Sequence, residues 1–300
     1  MRENVLVMLS SYNGEEYIEE QIETILAQEG VAVKLLVRDD GSTDKTTTIL
    51  ERYKKEGKLS YYVGQNLGWR KSFMQLVNDA PLSDFYAFAD QDDYWMPQKL
   101  KAAISYLKTK PKGPQLYSCN GDLWKNGEIV GKVYPIERKF DKYSNFINPK
   151  CQGCTLVFNR ELLQIVKSKM PQIEVVHDAW VVRLSILLGA YYYDNNSYIL
   201  YRQHGNNQLG AETTTRETFQ RRWKMYTKRQ KVESLDIIAN EILKCYGDIL
   251  DEEGRQICNI FASYCHSLRS YLKLLFSSKY KCDNLLGTFG FKYRVLTRML

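Results

Sequence analysis

Short apolar runs alternate with amphipathic stretches over the first 108 residues of the chain. The run at 5–9 contains no polar position, which is typical of a strand buried on both faces of a parallel sheet. After it, Ile18, Ile22 and Ile25 share one face of a helix that Asn13 can cap. The same alternation predicts strands at 34–38, 59–63 and 85–89, a helix ending near 55, and helices at 69–79 and 97–108.

Strands that alternate with helices favour an α/β fold, in which a doubly wound and mostly parallel central sheet is flanked by helices. Beyond this region the pattern is more mixed, and after residue 210 it is helical only. It predicts strands at 115–118, 129–134, 155–158 and 197–201, and helices at 160–169, 178–188, 216–246, 251–276 and 288–300. We therefore predict a domain at residues 1–210 and a helical C-terminal region at residues 211–300.

Positive charge is concentrated in the C-terminal region. Of the net charge of +7, residues 211–300 contribute +6 and residues 1–210 contribute +1. No zinc-finger, helix-turn-helix or RNP-like pattern accompanies this surplus, so an anionic membrane surface is favoured over nucleic acid as a partner. The aromatic and basic residues of 288–300 suit such a surface. A solvated helical face is the alternative for the charge. For residues 288–300, packing against the rest of the chain or against a second subunit are the alternatives.

Length and composition are those of a folded protein with a substantial core. The 300 residues, 44% of them hydrophobic, exclude a disordered chain and a disulfide-held mini-protein. The seven cysteines are unevenly spaced, which favours a reducing compartment, and Cys151 and Cys154 lack the partners of a zinc site. No apolar stretch resembles a secretory signal or a membrane span. We expect a cytoplasmic protein, with the inner face of the cell membrane as a peripheral location.

Polar residues follow each of the first four predicted strands, at 11–13, 39–40, 66–70 and 90–93. Ligands of open α/β sheets bind at the carboxyl ends of the strands, so these residues are expected to share one site. Asp90, Asp92 and Asp93 repel one another unless a cation joins them, and oxygen ligands suit Mg²⁺ or Mn²⁺. A solvated acidic loop is the alternative. A glycine-rich phosphate loop is lacking, which excludes a Rossmann dehydrogenase and a P-loop NTPase.

A series of motifs in residues 4–210 resembles the family 2 glycosyltransferases of the GT-A fold. They are LSSYNG at 9–14, DDGSTD at 39–44, NLG at 66–68, ADQDDYW at 89–95 and HDAW at 177–180, in that order. The forms DQDDYW and HDAW, together with YRQHGNN at 201–207, look most like bacterial rhamnosyltransferases of surface-polysaccharide synthesis. The region after residue 210 is similar only in being helical and basic.

The resemblance implies a metal-dependent, inverting glycosyltransferase that uses a nucleotide-diphosphate sugar. The predicted reaction transfers L-rhamnose from dTDP-rhamnose to a hydroxyl of a cell-surface polysaccharide precursor, which we expect to be lipid-linked. A UDP-hexose donor is an alternative. A sugar nucleotidyltransferase is disfavoured because the first loop lacks the glycine-rich basic sequence of those enzymes. A catalytically silent glycan-binding subunit is disfavoured because the motif aspartates are intact.

For the donor, the resemblance implies that Ser11, Tyr12 and Asn13 line the base and ribose and that Asp39 holds the base. Asp40 is expected to support that turn.

Further donor contacts are implied for Asn66, for Arg70 at a phosphate, and for Asp90 at the ribose. Asp92 and His204 are the implied ligands of Mn²⁺ or Mg²⁺.

On the acceptor side, the resemblance implies that Asp178 is the catalytic base and that His177 orients its loop. Asp93, Trp95 and Trp180 are also assigned to this side.

Overall fold

A nine-stranded sheet is built by the chain segments that precede residue 204. The computed structural model describes residues 2–135, 141–149, 151–203 and 234–300. The strands are β1 (Glu3–Ser11), β2 (Val31–Asp39), β3 (Ser60–Val63), β4 (Phe85–Ala89), β5 (Tyr94–Trp95), β6 (Gln115–Lys125), β7 (Glu128–Lys132), β8 (Leu156–Asn159) and β9 (Ala190–Arg202).

The strand order is β3-β2-β1-β4-β8-β6-β9-β5, and β7 pairs with β6. Strands β3, β2, β1 and β4 are parallel to one another, and β6 is parallel to β9. The antiparallel ladders, which involve β8, β7 and β5, have two to four residue pairs each. The register places Ser11 beside Asp39 and Leu9 beside Ala89, so the carboxyl ends of three parallel strands meet at one edge. The predicted α/β fold with a mostly parallel central sheet is confirmed.

Helices connect these strands and cover the apolar side chains of the sheet. They are α1 (Ile18–Leu26), α2 (Thr46–Lys55), α3 (Trp69–Asp79), α4 (Lys99–Lys108) and α6 (Arg160–Ser168), and a single 3-10 turn, Gly153–Thr155, precedes β8. The predicted stripe of Ile18, Ile22 and Ile25 is fully buried in one apolar core that also contains Val5 and Val7 of β1. This burial supplies most of the stability of such helices.

A second compact unit contains residues 141–149 and 169–188 together with the C-terminal helices. Its helices are α5 (Lys142–Ile147), α7 (His177–Leu188), α8 (Leu235–Tyr246), α9 (Glu252–Ser263), α10 (Leu268–Phe276) and α11 (Leu285–Leu296). Two of its segments precede residue 210, so each compact unit is made of segments that are not contiguous in the sequence. Within the described ranges, none of the helices combines the length and apolarity needed to span a bilayer.

The predicted helix at 251–276 is two helices, α9 and α10. The break lies between Ser263 and Leu268, where the Ser267 hydroxyl accepts a hydrogen bond from the Ser270 amide at 3.3 Å and caps α10. Helix α11 begins before the predicted 288 because the Asn284 side chain accepts a bond from the Gly287 amide at 2.6 Å. Residues 216–233 of the predicted helix 216–246 lie outside the described residues.

Strands β6 and β9 are longer than predicted because they pair with each other from Gln115 and Ala190 to Trp124 and Arg202. Polar residues interrupt the apolar pattern of β9, and the ladder accommodates them with two register shifts. Tyr117, for example, donates to the Asp194 carboxylate at 2.7 Å. This pairing carries Arg202 to the edge at which the DQDD segment lies.

We predict that Gly189→Ala destabilises the protein. A Cβ atom at 189 would lie 2.0 Å from the Pro114 carbonyl oxygen, which already accepts a bond from the Ala190 amide, so the start of the β6–β9 ladder must shift. Overpacking of this kind costs about 1–3 kcal/mol of unfolding free energy, measured by urea denaturation. At Gly131 the nearest atom to an added Cβ is 3.8 Å away, so Gly131→Ala is the matched control. Equal losses in the two variants would contradict the prediction.

Candidate active site at the carboxyl edge of the sheet

A buried carboxylate joins the ends of β1 and β2. Asp39 is completely buried, and its Oδ2 atom accepts hydrogen bonds from the hydroxyls of Ser11 at 2.9 Å and Ser42 at 2.6 Å. Its Oδ1 atom accepts from the Ser42 amide at 2.8 Å. The structure therefore brings together Ser11 and Asp39, two of the residues predicted to bind the donor.

Asn13 links the loop after β1 to the loop after β2. Its amide donates to the Ser42 hydroxyl at 2.9 Å, and its side-chain oxygen accepts from the Thr43 amide at 2.8 Å. The backbone of Asn13 has a φ of 47°, in the left-handed region that asparagine tolerates better than most residues. Asn13 thus holds the two loops together.

Tyr12 connects the first loop to the DQDD segment. Its amide donates to Gln91 Oε1 at 2.8 Å, and Gln91 Nε2 donates to the Tyr12 carbonyl at 3.1 Å. Gly14 leaves the space that the Gln91 amide occupies, since a Cβ there would lie 2.4 Å from Oε1. The side chain of Tyr12 remains 46% exposed, so its ring is open to a ligand.

Asp40 supports the loop after β3. It is buried in an ion pair with Arg38, and its carboxylate accepts from the amides of Leu67 at 2.9 Å and Gly68 at 2.8 Å. Arg38 also donates to the Gln65 carbonyl and the Ser72 hydroxyl, both at 2.9 Å. Asp40 therefore shapes the site through this loop.

Two further residues assigned to the donor lie in this region. Asn66 is in the loop after β3, and Arg70 follows the loop. Asn66 is exposed, and its side-chain oxygen accepts from the Gly68 amide at 3.2 Å. Arg70 is in the first turn of α3, with its guanidinium 4.8 Å from the centre of the Trp69 ring. Both residues follow the carboxyl end of β3, as the sequence predicts.

The DQDD segment forms a carboxylate cluster with one buried member. Ligand atoms of Asp90, Asp93 and Cys154 lie within 4.8 Å of one another. Asp93 is 1% exposed, and its Oδ2 atom has no hydrogen-bond partner among the described residues. Burial, together with the Asp90 and Asp92 carboxylates, holds the pKa of Asp93 well above its usual range.

These carboxylates fit a hard divalent cation. A cation would offset the repulsion and supply the partner that Asp93 Oδ2 lacks, and carboxylate oxygens are the ligands that Mg²⁺ and Mn²⁺ prefer. Burial and Asp93 raise the pKa of the Cys154 thiol, which leaves it protonated and a poor ligand. Asp92, the ligand predicted from the sequence, is partly exposed next to this cluster, and His204 lies outside the described residues.

A buried lysine that the sequence does not single out lies near the cluster. Lys99 is fully buried in α4, with Nζ 3.4 Å from the centre of the Trp95 ring. Within the described part of the chain, Nζ has no hydrogen-bond partner, and burial lowers the pKa of Lys99 to about 8. Trp95, assigned to the acceptor side, is 1% exposed and packs in the core.

Arg202, at the end of β9, holds the DQDD segment in place. Its Nε donates to the Asp92 carbonyl at 2.8 Å, and its amide donates to Asp93 Oδ1 at 3.3 Å. The guanidinium is 4.8 Å from the ring centre of Tyr17 and 4.2 Å from that of Trp124, and it is ion-paired with Glu20. In the sequence, only the place of Arg202 in the YRQHGNN motif indicated that it belongs to the site.

Tyr201, the neighbour of Arg202, also lies near the carboxylates. Burial and the Asp90 carboxylate raise its pKa, so the hydroxyl remains a hydrogen-bond donor.

The HDAW motif begins α7 in the second unit. Asp178 is partly exposed in the first turn, where a negative charge is favourable, and its Oδ1 atom accepts from the Ala179 amide at 2.6 Å. His177 is 3% exposed, and burial lowers its pKa to about 3, so the imidazole is neutral near pH 7. Trp180 is buried, with its ring centre 6.3 Å from that of Tyr246.

Comparisons with known proteins agree with this arrangement. Residues 6–166 match the family model "Glycosyl transferase family 2". The chain is 32% identical over 238 residues to the dTDP-rhamnosyl transferase RfbG of Shigella flexneri, an alignment that covers 71% of this chain and 77% of that protein.

Two solved structures share the fold. S. aureus TarS in complex with UDP-GlcNAc has a TM-score of 0.56 and 20% identity, covering 93% of this chain and 78% of that one. The mannosyltransferase PcManGT of Pyrobaculum calidifontis, in complex with GDP-Man and Mn²⁺, has a TM-score of 0.52 and 15% identity, covering 99% and 86%. The chain therefore belongs to glycosyltransferase family 2 and is a glycosyltransferase of the GT-A fold.

Proposed function

We propose that this glycosyltransferase transfers L-rhamnose from dTDP-rhamnose to a hydroxyl of a cell-surface polysaccharide precursor that is lipid-linked, with divalent-metal dependence and inversion of configuration. The observation that carries the proposal is the hydrogen-bonded junction of the Tyr12 loop with the DQDD segment at the carboxyl edge of the sheet. This junction joins the loop that we assign to the nucleotide to the segment that carries the carboxylate cluster. The dTDP-rhamnosyl relative supports the choice of donor.

Recognition of the nucleotide is assigned to the loops after β1 and β2. The exposed Tyr12 ring offers a stacking face for the base. A carboxylate accepts about four hydrogen bonds, and Ser11 and Ser42 supply three to Asp39, so one acceptor position remains for the imide N–H of thymine. Asn13 holds the two loops at the spacing that the nucleoside needs.

The diphosphate is assigned to the DQDD segment. The resemblance assigns the cation, Mn²⁺ or Mg²⁺, to Asp92 and His204. The carboxylate cluster adds Asp90 and Asp93, which the resemblance assigned to the ribose and the acceptor side, as groups that would also hold it. When bound, the cation offsets the charge that develops on the departing diphosphate. The Mn²⁺ complex of PcManGT supports this assignment. Arg202 acts as a positioning residue, because it bonds the backbone of Asp92 and the side chain of Asp93.

Deprotonation of the acceptor is assigned to Asp178. Its partly exposed carboxylate takes the hydroxyl proton as the acceptor oxygen bonds to the anomeric carbon. The bond from that carbon to the diphosphate breaks, and dTDP leaves with the electron pair. Because the acceptor oxygen attacks the face opposite the diphosphate, the configuration at this carbon is inverted. His177 does not take this proton, because burial lowers its pKa to about 3.

A UDP-hexose is the second candidate donor, favoured by the complex of TarS with UDP-GlcNAc. Uracil presents the same imide N–H to Asp39 as thymine does, so this contact does not separate the two bases. The difference between them is the thymine methyl group.

Donor identity is testable by thermal unfolding. We expect dTDP-rhamnose with Mn²⁺ at about 100 times its dissociation constant to raise the melting temperature by about 5 °C, because it binds only the folded state. UDP-glucose at the same concentration is expected to raise it less, and EDTA to remove the effect. A larger shift with UDP-glucose would overturn the donor assignment, and no shift with either sugar would overturn the donor site.

If Asp178 is the catalytic base, Asp178→Asn should slow sugar transfer by about 10²- to 10⁴-fold, because the amide cannot accept the proton. The donor-induced thermal shift should stay as in the wild type. Glu252→Gln is the matched control, since Glu252 is also an acidic residue in the first turn of a helix of the second unit. Normal transfer with weakened donor binding in Asp178→Asn would refute the assignment.

If Arg202 positions the DQDD segment, Arg202→Lys should raise the Mn²⁺ concentration needed for half-maximal activity by about tenfold. Lysine lacks the planar guanidinium, which presents several donors at once and stacks on aromatic rings. The maximal rate at saturating Mn²⁺ should change less. Arg52→Lys, at an ion-paired arginine whose side chain is 50% exposed, should leave both values unchanged. An unaltered Mn²⁺ requirement in Arg202→Lys would be evidence against this role.

A further inference from the structure

Large apolar side chains are concentrated on the outer faces of α10 and α11. Eight of the seventeen exposed large hydrophobic residues of the described chain lie between residues 267 and 300. They are Leu268, Leu272 and Phe276 on α10, and Leu285, Leu286, Phe289, Tyr293 and Leu296 on α11. Their three- to four-residue spacing makes one stripe on each helix, and side chains such as Leu285 (79%) and Phe289 (72%) are almost fully exposed.

The opposite faces of the same helices are packed. Leu274 of α10 and Val295 of α11 are fully buried, and the ring centre of Phe291 lies 6.3 Å from that of Phe261 in α9. Lys292 joins the two helices, since its Nζ donates to the carbonyl of Leu274 at 2.6 Å and to that of Ser277 at 3.2 Å. Each helix therefore has one side that packs in the core, and its exposed stripe lies on a different side that these contacts do not cover.

The same segment carries nearly all of the net charge of the chain. Residues 267–300 contain seven lysines and arginines and one acidic residue, Asp283, whereas residues 1–266 contain 35 basic and 34 acidic residues. Arg269, Lys279, Lys281 and Arg298 are exposed. Exposed apolar stripes with positive charge around them are the pattern of helices that lie in the plane of a membrane.

We propose that this basic apolar surface, residues 267–300, docks on an anionic membrane surface. The apolar stripes enter the boundary between headgroups and acyl chains, and the lysines and arginines pair with lipid phosphates. A second copy of the chain is a poorer occupant, because a symmetric contact would bring two surfaces of the same positive charge together. The proposal does not rest on the identity of the donor sugar.

Vesicle co-sedimentation of the full chain tests the proposal. We expect binding to vesicles of equimolar phosphatidylglycerol and phosphatidylcholine, little binding to phosphatidylcholine alone, and a fall in affinity as salt is raised. Equal binding to both vesicle types would overturn the electrostatic part, and no binding to either would overturn the proposal.

Two variants separate the apolar and the charged contributions. The double variant Leu285→Ser with Phe289→Ser should bind anionic vesicles at least about tenfold more weakly, because two large apolar side chains no longer leave water. Lys281→Gln with Arg298→Gln should bind more weakly and respond less to salt. Leu82→Ser, at a 71% exposed leucine of the first unit, is the control that should bind as the wild type does.

Because these side chains are exposed, the variants should fold, which an unchanged melting temperature would verify. Retention of the donor-induced thermal shift in the vesicle-defective variant would separate membrane docking from the proposed function. Unchanged vesicle affinity in the Leu285 and Phe289 double variant would overturn the proposal. So would a concentration-dependent dimer that the same substitutions abolish, since the surface would then be a contact between copies.

Discussion

Repulsion between carboxylates in the DQDD segment is the constraint around which the site is built. Asp93 is buried beside Asp90, and burial favours its protonated form. The backbone of this segment is fixed from two sides, by Gln91 bonded to the β1 loop and by Arg202 bonded to Asp92. These bonds hold the segment in place, so its carboxylates stay close together. A fixed set of carboxylates of this kind is preorganised for the cation that we propose.

The sequence predicts best those elements whose pattern is set locally. Helix α3 and strand β4 have the predicted bounds, because an amphipathic stripe and an uninterrupted apolar run leave little choice. Strands β6 and β9 were predicted too short, since their length depends on pairing with each other across 75 residues of chain. The two-residue strand β5 was missed because it exists only through its bonds to β9. The helix predicted at 251–276 was wrong as one element because a serine cap ends its continuity.

The same distinction applies to the site. The sheet register brings Ser11 beside Asp39 because both follow parallel strands, and this was predictable from the pattern. The burial of Lys99 was not predictable, since a lysine in an amphipathic helix normally faces solvent and only tertiary packing buries it against Trp95. Cys154 enters the carboxylate cluster for a similar reason, through the pairing that places β8 next to β4. The role of Asp178 depends on chemistry with an acceptor and stays a prediction.

The buried ion pair of Arg38 and Asp40 has a consequence for engineering. Its hydrogen bonds reach the backbone of the β3 loop and the Ser72 hydroxyl in the first turn of α3, so three stretches of chain depend on one buried ion pair. The partners in this loop are backbone groups, so a chimera that imports a β3 loop of different backbone conformation would leave Arg38 and Asp40 without them. A loop exchange at this position therefore has to preserve the backbone path of residues 65–68 more than their side chains.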